Sequence, residues 1–283
     1  MPRAQKSSKT GAKPKPQEET VQQRQKHVSL STYISMVGVH TTLLGYAGLF
    51  LPRTTVLQQL ALYEADAAVL SSQDRPQPSF FNALTRSPTI TLFALCLGAL
   101  ILQTWWSSWL RACSIDISSH RSEEDKLKEK YLPTGQKAKG LAQAYGIVIL
   151  TSIVLHFILI LFGAPITELI MKTYLLALFI SILTNLTRNL CVGRANVVER
   201  SRFICQTMDL GPAVRRAVRA LVYPWVGAVL GSWIGVIPIA LDWDRPWQAW
   251  PLTPAYGALL GYILSSVTAV TVEAIFQNPI DSI

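Results

Sequence analysis

Charge is scarce in this sequence. Only 15% of its 283 residues are Asp, Glu, Lys or Arg, whereas a soluble domain carries roughly a quarter. A water-facing surface over the whole molecule is therefore excluded. Four histidines and four cysteines are present, with no HExxH, no CxxC and no Cys/His cluster, so zinc sites of familiar spacing are absent. Cys96, Cys113, Cys191 and Cys205 show no paired spacing, and no disulfide framework is implied. There is no GxSxG elbow, no P-loop, and no run of ordered aspartates and glycines like that of the CDP-alcohol phosphotransferases. On this reading no metal and no cofactor is expected.

Half of the residues are hydrophobic, and the charge-free stretches fall at 27–52, 87–110, 140–167, 173–187, 220–241 and 246–272. Five of the six hold at least 22 residues. At 1.5 Å per residue, about 20 residues cross a roughly 30 Å hydrocarbon core. The fourth stretch reaches that length only with Glu168 and Lys172 in its first turns, where the spacing of four would place them as an ion pair on one helix face. The fold class expected is all-α, a polytopic membrane protein with six transmembrane helices near 29–51, 87–110, 141–162, 166–190, 220–241 and 252–276. The first begins after a long basic tail and is too long for a signal-peptide core, so it reads as a retained helix.

Basic residues set the orientation. The tail 1–28 and the connections 111–140 and 188–219 hold 21 Lys and Arg in all, and the alternate connections 52–87, 164–172 and 242–251 hold five. Cytoplasmic loops are enriched in Lys and Arg, so both termini are expected in the cytosol. The net charge of +9 follows from this bias and calls for no nucleic acid. Two domains are read: a disordered basic tail at 1–28, poor in apolar residues, and a six-helix domain at 29–283. The stretch 54–70 has the apolar spacing of an interfacial helix, and a loop excursion fits it equally.

Small residues mark the last two helices. Gly227, Gly231 and Gly235 share one face of the fifth, and Gly257 and Gly261 one face of the sixth. Such faces let backbones approach closely, within the chain or against a partner. Pro224 and Pro238 are expected to bend the fifth helix near both ends. Trp105, Trp106 and Trp109 read as an interfacial aromatic anchor. His40 and His156 are the polar residues taken as deep within spans, a hydrogen bond between helices being the role expected; Glu273, near a helix end, is expected to snorkel.

The densest chemical text is Asp242-Trp243-Asp244-Arg245-Pro246-Trp247-Gln248-Ala249-Trp250-Pro251. Asp242 and Asp244 form a DxD that would suit a metal and a phosphate, but two carboxylates rarely hold a divalent cation alone. A rigid interfacial turn is the plainer reading, with prolines fixing the backbone and tryptophans at headgroup depth. Arg245 and Trp247 are also the residue types that dominate binding hot spots.

That decapeptide, between the last two of six spans and beside their glycines, resembles the PIG-F family. The resemblance is most specific at 241–251 and at the glycines, weaker through the other spans, and leaves out the tail. It implies a small endoplasmic reticulum membrane subunit in glycosylphosphatidylinositol (GPI) anchor synthesis. Such a subunit would be non-catalytic, stabilising larger membrane-bound ethanolamine-phosphate transferases that carry the zinc-dependent domain and transfer phosphoethanolamine to GPI mannose. Membrane lipid, including the GPI precursor, is a further partner implied. Two other classes stay open: a small lipid transporter or scramblase, which would need a polar path between helices, and a membrane-embedded headgroup transferase, which would need clustered acids or histidines.

Overall fold

The computed structural model describes residues 30–57, 59, 78–117, 134–192, 212–241, 243 and 245–277. The tail 1–28, most of 54–70, Asp242 and Asp244 lie outside them. The described residues are all helix and connection, and six helical segments are long and apolar enough to cross a membrane. They are α1 (Leu30–Phe50), α3 (Pro88–Ile117), α4 (Thr134–Leu161), α5 (Ile170–Ser181) with α6 (Thr187–Val192), α7 (Pro212–Ile234) and α8 (Leu252–Gln277). A short α2 (Ser79–Thr85) precedes α3.

Their ends follow local chemistry. Pro52 converts the end of α1 into a 3₁₀ turn at Leu51–Arg53. The Ser87 hydroxyl accepts the Ile90 N–H, capping α3 one residue before the proline at its first position. Helix α4 stops at Gly163, whose φ of 97° is left-handed. There the Ala164 N–H reaches the Leu159 carbonyl and the Gly163 N–H that of Ile160, the crossed pair of bonds that closes a helix at glycine. Helices α5 and α6 join through a π segment at Ile182–Leu186, so the fourth span is continuous.

Four expectations need correction. Glu168 lies in a bend before Ile170, where helix geometry begins, and among the described residues no ion pair joins it to Lys172. Helix α7 starts earlier and ends at Ile234; Pro224 lies within it, but Pro238 sits in a separate 3₁₀ turn, Ile237–Ala240. Trp106 turns inward while Trp105 stays exposed, because neighbouring positions on a helix diverge by about 100°. Glu273 does not snorkel: it is 2% exposed and bonded to Arg219 of α7.

The main core lies among α3, α5, the π segment that follows it and α8, around Leu92, Leu176, Phe179, Leu183 and Leu259. Spans two and four are the most buried and span three the least. The outer face of α4 exposes Leu150, Phe157 and Leu161, side chains as apolar as acyl chains, which suits a lipid boundary. The most extensive packing joins α7 to α8. A methyl at Gly231 would collide with the Gly257 carbonyl, and one at Gly227 with that of Gly261. One at Gly235 would meet the backbone of Thr253 and Pro254. The five glycines thus bring two backbones of the same chain into contact.

Candidate functional site

The connection 242–251 is folded by its glutamine. Gln248 Oε1 accepts the Arg245 N–H at 2.7 Å, while its Nε2 donates to the carbonyls of Pro238 (2.6 Å) and Leu241 (2.7 Å). Pro246–Gln248 forms a 3₁₀ turn. Trp250 Nε1 donates to Thr173 Oγ1 at 3.0 Å, pinning the connection to α5. Trp243 is 51% exposed and meets Trp247 edge-on at 5.7 Å. Trp247 and Pro246 are half-buried and Arg245 is exposed. The segment is therefore a built turn with an outer edge at Trp243 and an inner edge at Arg245 and Trp247.

The inner edge closes one side of an open cleft of about 560 Å³. Leu49 of α1, Phe81 and Leu84 of α2, and Leu252 and Tyr256 of α8 supply its apolar walls. Helix α2 is held in place by Arg53, whose guanidinium lies 4.4 Å from the Phe80 ring centroid, and by Thr91 Oγ1 donating to the Leu84 carbonyl at 2.8 Å. Tyr256 Oη donates to the Gly48 carbonyl at 3.0 Å, joining α8 to α1 behind the cleft. Thr253 also lines it, and its buried Oγ1 has no hydrogen-bond partner. Nothing in the spacing of Phe81, Thr253 or Tyr256 marks them as neighbours of Arg245; only the packing of α2 against the turn does.

The intramembrane histidines are not brought together. His40, 1% exposed, stacks on Trp106 at 4.7 Å and meets the Tyr262 ring at 5.9 Å, and its Nε2 has no hydrogen-bond partner. The stack on Trp106 holds the His40 ring against α3, and Nε2 makes no hydrogen bond between helices. A void of about 10 Å³ adjoins it, bounded by Tyr33, Pro224 and Ser266 among others. His156 lies on α4, its ring 6.0 Å from that of Tyr174 on α5, and its Nδ1 is likewise unpartnered.

One fully buried amide was not singled out from the sequence. Gln103 is 0% exposed, and its Oε1 accepts Thr187 Oγ1 at 2.6 Å and Tyr262 Oη at 3.3 Å. An amide amid Ile101 and Leu102 was the available signal, since polar groups within a span are costly without partners. A second polar seam joins α4 to α5, with Thr151 Oγ1 2.6 Å from Ser181 Oγ and Ser181 Oγ donating to the Val148 carbonyl. Both seams are bonds between helices of the kind that hold membrane bundles together. Among the described residues no three His, Cys, Asp or Glu side chains gather as metal ligands would.

Comparison with known proteins completes the site. Residues 77–270 match the family model described as GPI biosynthesis protein family Pig-F. A mouse protein named GPI ethanolamine phosphate transferase, stabilizing subunit, is 27% identical over 165 residues, covering 56% of this chain and 73% of its own. A Schizosaccharomyces pombe PIGF/3-ketodihydrosphingosine reductase fusion protein is 31% identical over 66% of this chain and 36% of its own. Glycosylphosphatidylinositol anchor biosynthesis protein 11 of Yarrowia lipolytica is 34% identical over 43% of this chain, which spans about half (51%) of its length. No solved structure matches.

Proposed function

The chain belongs to the Pig-F family of GPI biosynthesis proteins, and on that premise we propose that it is a non-catalytic stabilising subunit of an ethanolamine-phosphate transferase complex. The observation that carries the reading is the family match over 77–270, which takes in spans two to five, most of span six and the whole 242–251 turn. The mouse relative's name, a stabilizing subunit of a GPI ethanolamine phosphate transferase, supports a catalytic transferase as the partner. In this reading the partner is larger and membrane-bound, and the present chain supports its transfer of phosphoethanolamine to GPI mannose. The location is the endoplasmic reticulum membrane. The skew of basic residues, 21 against five, supports cytosolic termini and a lumenal 242–251 turn.

Docking uses the outer edge of that turn. The α7–α8 glycines are engaged with each other's backbones and so leave no close-approach face for a partner helix. Trp243 presents an exposed indole on a turn already braced by Gln248 and Trp250. A pre-ordered tryptophan loses little conformational freedom on binding and is a frequent hot spot. Trp243→Ala is expected to cost roughly 2 kcal/mol in association, about thirtyfold in affinity, with the subunit itself still folded. Recovery of the transferase from mild detergent with tagged wild type and variant measures this. Failure of the wild type to recover any phosphoethanolamine transferase would overturn the subunit reading, and equal recovery by both would move the docking surface elsewhere.

A further inference from the structure

The cleft of about 560 Å³ has a lining of two kinds. The walls from α1, α2 and α8 are hydrocarbon and aromatic: Leu49, Phe81, Leu84, Leu252 and Tyr256. At the rim stands the guanidinium of Arg245, exposed on the inner edge of the turn. Helix α8 begins at Leu252 in the cleft wall, so the positive end of a 26-residue helix faces the same space. The buried hydroxyl of Thr253, without a partner, lies in that first turn. A hydrocarbon wall running toward a positively charged rim, at the level where six spans end, matches an amphiphile whose headgroup is an anion.

We propose that this cleft binds one glycerophospholipid, an acyl chain along the apolar walls and the phosphate at Arg245. A peptide segment is the poorer occupant. Every residue of a peptide brings backbone N–H and C=O groups that need partners when buried, and the walls offer few. The Thr85 hydroxyl already donates to the Phe81 carbonyl, and the Tyr256 hydroxyl to Gly48. An acyl chain asks for none. Arg is suited to phosphate because its planar fork can give two parallel charge-assisted bonds. A volume of this size also lies within the roughly 300–1,000 Å³ common to small-ligand sites.

The test uses the full-length chain without any transferase, in lipid-free dodecyl maltoside micelles into which phosphatidylcholine with a mid-chain diazirine is titrated. Photolysis followed by peptide mapping is expected to give saturable labelling at 78–86 and 252–260, over a non-saturable background on the outer face of α4. Unlabelled phospholipid competes; inorganic phosphate does not; diacylglycerol, which lacks the phosphate, competes at least tenfold more weakly. Thr85→Trp and Leu49→Trp, each adding an indole from a different wall, abolish the saturable component. Arg245→Gln weakens it about tenfold. Labelling in simple proportion to exposed surface would overturn the site, as would survival of the saturable component in both tryptophan variants. Diacylglycerol competing as well as phospholipid would overturn the role of Arg245. Because no partner is present, none of these outcomes depends on the docking of a transferase. Conversely, Thr85→Trp leaves recovery of the transferase unchanged if docking is confined to the outer edge at Trp243.

Discussion

Arg245 and Trp247 stand two residues apart in the sequence, and from composition both read as contacts for a partner. The structure gives them a different outlook from Trp243, whose ring meets that of Trp247 edge-on at 5.7 Å. The 3₁₀ turn carries Arg245 and Trp247 toward the cleft, while Trp243 is left on the outside. Another residue-scale pair, Arg219 and Glu273, shows how a charge survives inside the bundle. Glu273 is buried on α8, and the guanidinium of Arg219 on α7 bonds to it. Breaking a buried pair leaves an uncompensated charge and costs roughly 3–5 kcal/mol, whereas an apolar replacement of both partners is often neutral. Arg219→Met is therefore expected to lower the thermal midpoint of the detergent-purified chain. Arg219→Met with Glu273→Leu is expected to restore most of it. A double variant no more stable than the single would show that the pair does more than neutralise charge.

Among the elements, the α7–α8 hairpin has the least tolerance. Gly231 and Gly257 each face the other's carbonyl at a separation that leaves no room for a methyl. Gly231→Leu must push the helices apart and should reduce both the steady-state level and the folded fraction seen by size exclusion. Gly38 of α1 provides the contrast, because a side chain there meets nothing within 4 Å. Leucine at a lipid-facing site adds no cost, so Gly38→Leu is expected to behave as wild type. Equal loss in both variants would mean that helix length or insertion, rather than packing, is being measured. The glycine spacing on each helix was legible in the sequence, but which helix the faces meet was not. GxxxG specifies a close approach without naming the partner.

For the whole molecule, the distribution of basic residues predicts the placement in the membrane. A glycosylation acceptor inserted in 54–85 is expected to be modified, and one inserted in 112–138 to remain unmodified. The reverse pattern would invert the orientation, and modification at both would remove a span from between them. On the expected orientation the cleft and the 242–251 turn would stand at the lumenal end. With the lipid site proposed for the inner edge and docking proposed for the outer, one short segment would serve two contacts without competition.

The number of spans and their approximate limits could be read from the chain alone, because crossing a bilayer demands about 20 apolar residues whatever their neighbours are. The orientation expected from the basic residues rests on the chain alone, since each loop contributes its Lys and Arg independently of packing, and the glycosylation insertions test it. Family membership was legible in the 242–251 decapeptide and the glycines beside it. Contacts between elements distant in sequence were not. Gln103 with Thr187 and Tyr262, His40 on Trp106, and Glu273 with Arg219 all depend on which faces of which helices turn inward. In a chain apolar on nearly every face, hydrophobic periodicity cannot say which face that is, for lipid and core are equally apolar. The cleft is the extreme case. It arises where the end of α1, the short α2, the start of α8 and the turn meet, and that meeting exists only once the bundle has closed.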